Sequence, residues 1–123
     1  IRTNFETAEF IKYMSNCFLA TKVSFMNEMK IIADNNNINW GKAVKAFTAD
    51  ERIGKSHTQV PGPDGKLGFG GSCFPKDIQA FINYAENFNI NPKILKAAWE
   101  TNLDVRSEKD WEKLVGRAVS KKH

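Results

Sequence analysis

With 123 residues, 41% of them apolar and 26% charged, the sequence describes one globular domain large enough to bury a core. Its net charge of +4 is spread along the chain apart from Lys121 and Lys122. This argues against a nucleic-acid binder and weakly for an anionic ligand. No apolar run approaches the ~20 residues that span a bilayer, and no signal-peptide pattern opens the chain.

The two cysteines, Cys17 and Cys73, fit neither a metal spacing nor a disulfide framework, so a reduced, cytoplasmic setting is expected. The sequence opens on Ile1-Arg2 without an initiator methionine and reads as a piece of something larger.

A first helix is predicted from about Asn4 to Asp34, a stretch without proline or glycine. In it Phe5, Ala8, Ile11, Met14, Phe18, Phe25, Met29 and Ile32 recur at helical spacing. Thr3 or Asn4 could cap its start, and Asn35-Asn36-Asn37 should end it, because asparagine tolerates the left-handed cap. Such a helix is ~45 Å long and also carries Leu19, Val23 and Met26 on its other face. It needs more than one partner, and a second subunit is one candidate.

A second helix from Asn39 to about Thr48 has Asn39 as cap and Trp40, Ala43, Val44 and Phe47 as its stripe. The stretch from Ala49 to Gly71 lacks periodicity, and a loop of that length implies a binding role. A third helix starts near Phe74 or Pro75 and runs to about Asn87, with Ile78, Phe81, Ile82 and Ala85 inward. Asn91-Pro92 begins a fourth, with Ile94, Leu95, Ala98 and Trp99 inward, continuing to Val105. A last helical piece over about 110–115 carries Trp111, Leu114 and Val115, and the tail from Gly116 to His123 is polar. Nothing alternates like a strand, so the expected fold class is all-α.

The stretch richest in chemistry is GFGGSCFPKD at 68–77. Its glycines permit close backbone approach to a ligand, and Pro75 suits a first helical turn. Cys73 then falls at a helix N-terminus, where the dipole favours a thiolate, with Lys76 adding positive charge. Asp77, four residues on, shares its face. The competing reading is a buried structural thiol beside an ordinary turn.

Lys12 and Asn16 are also four apart, on one face of the first helix, and could together hold an oxyanion. A solvated stripe is the alternative. Asn27-Glu28 lies in the apolar second half of the same helix. There a buried glutamate would need a partner, and contact with a loop backbone is the expected role. Arg52, in the DERIG string at 50–54, suits fork-like recognition of hydroxyls, carboxylates or phosphates, unless it merely pairs with Asp50 or Glu51. His57 and His123 lack triad or metal partners at motif spacing and receive no role.

In order along the chain, AEFIKYMSN at 8–16, FLATKVSFMNE at 18–28, DERIG at 50–54 and GFGGSCFPKD at 68–77 resemble one family. It is that of the nucleotide-sugar dehydrogenases, which includes UDP-glucose 6-dehydrogenase and GDP-mannose 6-dehydrogenase. The resemblance covers most of residues 1–123 and is to the family's central domain. It implies an all-α, long-helix dimerisation domain like the C-terminal domain of 6-phosphogluconate dehydrogenase, and hence a homodimer through the first helix.

The resemblance further implies oxidation of a sugar primary alcohol twice, to the uronate, with NAD as cofactor and no metal. In that scheme Cys73 forms a thiohemiacetal and then a thioester. Lys12 stabilises the oxyanion with Asn16 beside it, and Asp77 works with Lys12 on a water molecule. Arg52 reaches the neighbouring subunit's sugar site, Phe69, Gly70 and Gly71 lie against the substrate, and Lys76 is a weak candidate for a cofactor contact.

The glycine fingerprint of a Rossmann domain is absent from the sequence. The chain alone is therefore expected to dimerise but not to turn over substrate. UDP-glucose is the expected substrate, with GDP-mannose or a UDP-N-acetyl sugar as alternatives, the loop from Lys55 to Lys66 deciding between them. A structural all-α dimerisation module with an inert cysteine is the contrasting reading.

Overall fold

The computed structural model describes residues 6–107 and 109–114. Four α-helices, α1 (Thr7–Asp34), α2 (Trp40–Thr48), α3 (Cys73–Asn87) and α4 (Lys93–Val105), are followed by a 3-10 turn at Asp110–Leu114. Among the described residues there is no strand, and the all-α expectation holds.

At 28 residues, α1 is about 42 Å long and is the element on which α2, α3 and α4 all pack. The expected caps Thr3 and Asn4, and the stripe residue Phe5, lie outside the described residues. The helix ends in the asparagine run: the Asn35 and Asn36 side-chain amides donate to the Ile31 and Ile32 carbonyls, and Asn37 takes the left-handed conformation at φ 55°. Asn39 caps α2 by accepting from the Lys42 N–H at 3.0 Å. The predicted α2 stripe of Trp40, Ala43, Val44 and Phe47 faces Phe25, Met26 and Met29 of α1 across a gap of about 270 Å³.

The core lies where α3 and α4 meet α1. Cys17, Ala20, Phe69, Ile78 and Ala98 are buried together, with Val23, Phe74, Phe81, Ile82, Leu95 and Trp99 packed around them. The α1 side of this core is built from small residues, Cys17, Ala20 and Ser24, which let α3 and α4 approach closely. Ser24 donates its hydroxyl to the Ala98 carbonyl of α4 at 2.7 Å. Trp111 is buried against Trp99.

Three expectations need correction. Ile94 was placed inward, yet it is 74% exposed. The helix seats through Leu95, Ala98 and Asn102, and Ile94 lies about 75° around the helix from the centre of that line. Glu28 is exposed rather than buried, so it needs no partner. Helix α3 starts at Cys73, a residue or two earlier than expected, with Ser72 flanking it. Val115 and the polar tail lie outside the described residues.

Large apolar residues of α1 stay uncovered. Ile11, Met14, Phe18, Phe25, Ile31 and Ile32 are all roughly half exposed or more. Among the described residues no helix is long and apolar enough to cross a membrane.

Candidate active site

Two helices bring the site together. Lys12 and Asn16 lie one turn apart on α1, and Cys73 and Asp77 one turn apart on the first turns of α3. The α1–α3 packing joins the second member of each pair: the Asn16 amide donates to Asp77 Oδ2 at 2.7 Å. Asp77 is 1% exposed, and its other oxygen, Oδ1, is buried with no hydrogen-bond partner. An unpartnered buried carboxylate oxygen is unusual in a region held only for packing.

Cys73 is the first residue of α3 and is exposed, with the Ser72 hydroxyl 4.0 Å from its sulfur. Cys17 is its opposite: 3% exposed, with its thiol directed at the Asp77 carbonyl 3.9 Å away. Burial, and then the nearby Asp77 carboxylate, push the Cys17 thiol up to about 12. Of the two thiols, Cys73 is the one open to solvent.

Lys12 is exposed, and its ammonium stands 5.4 Å from the Tyr13 ring centroid. Tyr13 receives no role from the sequence alone. Burial and the Asp77 carboxylate raise its hydroxyl above the usual tyrosine value, while Lys12 acts in the other direction. Tyr13 also stacks on Phe81 at 5.8 Å. Lys76 is exposed in the first turn of α3. Arg52 is exposed and grips Asp50 through Nε and Nη2, the latter at 2.6 Å. It stands at the surface, next to Ile53, whose carbonyl accepts from Lys22.

The glycine segment before Cys73 is held by buried side chains. Asn102 of α4 is fully buried, accepts from the Phe69 N–H at 2.7 Å and donates to the Phe69 carbonyl at 2.9 Å. Asn27 of α1 accepts from the Gly68 N–H at 3.1 Å, the loop-backbone contact expected of the Asn27-Glu28 pair. Gly68 adopts φ +68°, and a Cβ there would run into the Asn102 amide, so the position requires glycine. The Phe69 ring closes over the core against Phe74 and Trp99. Sequence reading missed Asn102, which looks like one more polar residue near a helix end.

Beside this segment lies a cavity of about 560 Å³, with Lys55, His57, Gln59 and Asp64 on its wall together with Phe69, Gly70 and Phe74. Phe74, the residue after Cys73, lines this cavity, and Cys73 itself does not. His57, left without a role above, packs its ring 5.6 Å from that of Phe74. Among the described residues no three metal-ligating side chains converge. A dinucleotide is cradled by a glycine-rich turn between strand and helix, and the described residues form no strand. They do not fit NAD by themselves.

The fold and site define a helical domain that presents an exposed cysteine at a helix N-terminus, one turn from a buried carboxylate bonded by an amide, and a cavity of mixed polar and apolar lining formed by the segment around it. Residues 6–104 match the UDP-glucose/GDP-mannose dehydrogenase family, central domain. A UDP-glucose 6-dehydrogenase of Rickettsia typhi is 46% identical over 100 residues, covering 81% of this chain and 22% of the relative. UDP-glucose 6-dehydrogenase TuaD of Bacillus subtilis is 40% identical over 102 residues, covering 83% and 21%. A solved UDP-glucose dehydrogenase from the archaeon Pyrobaculum islandicum superposes with a TM-score of 0.70 at 40% identity, over 79% of this chain and 21% of that one.

The chain belongs to the UDP-glucose/GDP-mannose dehydrogenase family, and residues 6–104 correspond to its central domain. It spans about a fifth of the length of the relatives it matches.

Proposed function

We propose that the chain is the nucleophile-bearing, substrate-binding and dimerisation part of an NAD-dependent nucleotide-sugar 6-dehydrogenase, with a UDP-sugar, UDP-glucose first, as substrate. The observation that carries this reading is exposed Cys73 at the start of α3, one turn from buried Asp77, which Asn16 of α1 bonds, on a chain segment that also lines a cavity of nucleotide-sugar dimensions. The relatives named for UDP-glucose support the substrate.

NAD, if held by parts of the protein beyond the described residues, would supply the hydride acceptor. The chain's own part is the covalent half of the reaction. The Cys73 sulfur adds to the carbon of the sugar aldehyde, forming a C–S bond as the carbonyl oxygen gains a proton, and gives a thiohemiacetal. Loss of a hydride and of the hydroxyl proton leaves a thioester. Water then adds to the thioester carbon, the C–S bond breaks, sulfur recovers a proton and the carboxylate departs.

Lys12 and Asn16 stabilise the oxygen that carries negative charge in each addition. Asp77 Oδ1, buried and unpartnered, is free to accept a proton from the attacking water while Asn16 fixes Oδ2. Phe69, Gly70 and Gly71 lie against the sugar. Lys55 and His57 in the cavity wall offer donors to the anionic part of the substrate.

The uncovered apolar face of α1, continued by a groove of about 210 Å³ between Phe25 and Ile94, supports a homodimer through the long helix. In such a dimer Arg52 would be supplied to the partner's sugar site.

The reading is tested by giving the protein, at full natural length, UDP-glucose, GDP-mannose or a UDP-N-acetyl sugar with NAD and following NADH absorbance. Two NADH per UDP-glucose supports it. Turnover confined to GDP-mannose moves the substrate within the family, and no turnover of any nucleotide sugar defeats it.

A further inference from the structure

We propose that Arg106 is a positioning residue that locks the cavity wall and the cysteine loop into one unit, the wall through Asp64 and the loop through Asp110. The proposal rests on the reading that the cavity receives the nucleotide sugar and that Cys73 attacks it. Arg106 lies just past the C-terminal end of α4 and is 1% exposed. Its Nη1 donates to the Leu67 carbonyl at 3.0 Å and to that of Gly68 at 3.5 Å. Its Nη2 donates to Asp64 Oδ2 at 2.9 Å and to Asp110 Oδ2 at 3.3 Å. That same Asp110 oxygen accepts from the Gly71 N–H at 3.2 Å, two residues before Cys73.

A buried guanidinium is costly to desolvate, and an apolar side chain of similar size would close the end of α4 without that cost. What arginine adds is a planar fork with fixed donor directions. Here the fork spans three chain segments, those of Asp64, of 67–68 and of Asp110, and each bears on the site. Asp64 forms cavity wall with Gly62 and Pro63. Its turn closes locally, Gly62 N–H to the Lys66 carbonyl at 2.9 Å, and Asp64 ties that turn to α4. Gly70 abuts the fork so closely that a Cβ would collide with Arg106 Nη2 and Asp110 Oδ1. The clamp therefore has two arms that can be cut separately, one governing the cavity and one governing the backbone that leads into Cys73.

The two arms predict different kinetics. In the full-length protein, Asp64→Asn raises KM for UDP-glucose about tenfold and leaves kcat within about twofold. Asp110→Ala lowers kcat about tenfold, leaves KM within about twofold, and changes the rate of Cys73 alkylation by iodoacetamide at least about threefold. Asp64→Asn leaves the alkylation rate unchanged. Arg106→Lys, which keeps the charge and loses the fork, shows both defects.

Thermal melts of each variant separate these effects from loss of folded protein, and the two carboxylate variants carry the test if Arg106→Lys fails to fold. Identical KM and kcat profiles for the Asp64 and Asp110 variants, or losses that only track the folded fraction, overturn the clamp. If the wild-type protein does not oxidise UDP-glucose, the functional reading falls separately. The alkylation rates then decide: a change in Asp110→Ala alone supports the clamp, and no change overturns it.

Discussion

Asn16 on α1 donates to the Asp77 carboxylate on α3 across 2.7 Å, joining the two helices at a buried acidic side chain one turn from Cys73. The bond leaves Oδ1 of Asp77 unpartnered. Asn16→Ala removes the partner of the second oxygen as well and should cost about 1–3 kcal/mol of stability, read by urea denaturation. Asp77→Asn keeps the shape and removes the base. It should slow acid release about 10²-fold or more and let a covalent adduct accumulate on Cys73, visible by mass spectrometry of the quenched protein. Unchanged acid release would remove Asp77 from the hydrolytic step.

The glycines before the cysteine are a second target. Gly68→Ala combines a positive φ with a collision against the buried Asn102 amide, and Gly70→Ala collides with Arg106 and Asp110. Each should lower the unfolding free energy by roughly 2 kcal/mol or more. Gly65→Ala, with a positive φ but open space around it, should cost only about 1 kcal/mol. Equal losses at all three positions would mean that the contacts to Asn102 and Arg106 are not rigid.

The two thiols should separate by reactivity and by pH. In the native protein, one thiol, that of Cys73, should react promptly with a disulfide reagent, and Cys17 only on unfolding. Cys17 is raised from 9.0 to about 12 by folding. Above pH 9 the unfolded chain therefore sheds a proton that the folded chain keeps, so stability falls as pH rises from about 9 towards about 12. Cys17→Ala should flatten this alkaline slope in urea titrations, and an unaltered slope would contradict the assignment.

Arg52 pairs with Asp50 at the surface, where an ion pair contributes little to stability. Arg52→Ala should leave the melting midpoint unchanged. If the residue serves a partner's sugar site, the same change lowers kcat/KM in the full-length protein. Phe25→Asp, placed in the exposed groove with Ile94, should convert a dimer to monomers in sedimentation velocity. A species that remains dimeric would move the interface elsewhere.

The helices were readable in the sequence because each has a local signal. Asn39 caps α2, the asparagine run stops α1, Pro75 lies in the first turn of α3, and 3.6-residue spacing marks the rest. The packing of α1 was less readable. The periodic large residues Ile11, Met14, Phe18 and Phe25 form the exposed face, and the intramolecular core uses Cys17, Ala20 and Ser24. Hydrophobicity alone points to the larger side chains, whereas close helix approach selects the smaller ones.

The pairs Lys12–Asn16 and Cys73–Asp77 were legible as one-turn spacings, whereas only the tertiary contact between α1 and α3 joins Asn16 to Asp77. Asn102, Arg106 and Asp110 were invisible for a related reason. Their partners are backbone groups about 30 to 40 residues away, and no local pattern encodes such a contact.

The central claim is that Cys73 is the nucleophile, and the most direct measurement is the rate of uronate formation from UDP-glucose by the full-length Cys73→Ser protein. Acid product should fall at least about 10³-fold, with the fold intact by circular dichroism. Acid formation near the wild-type rate would contradict the claim and leave the domain a structural dimerisation module with an inert thiol.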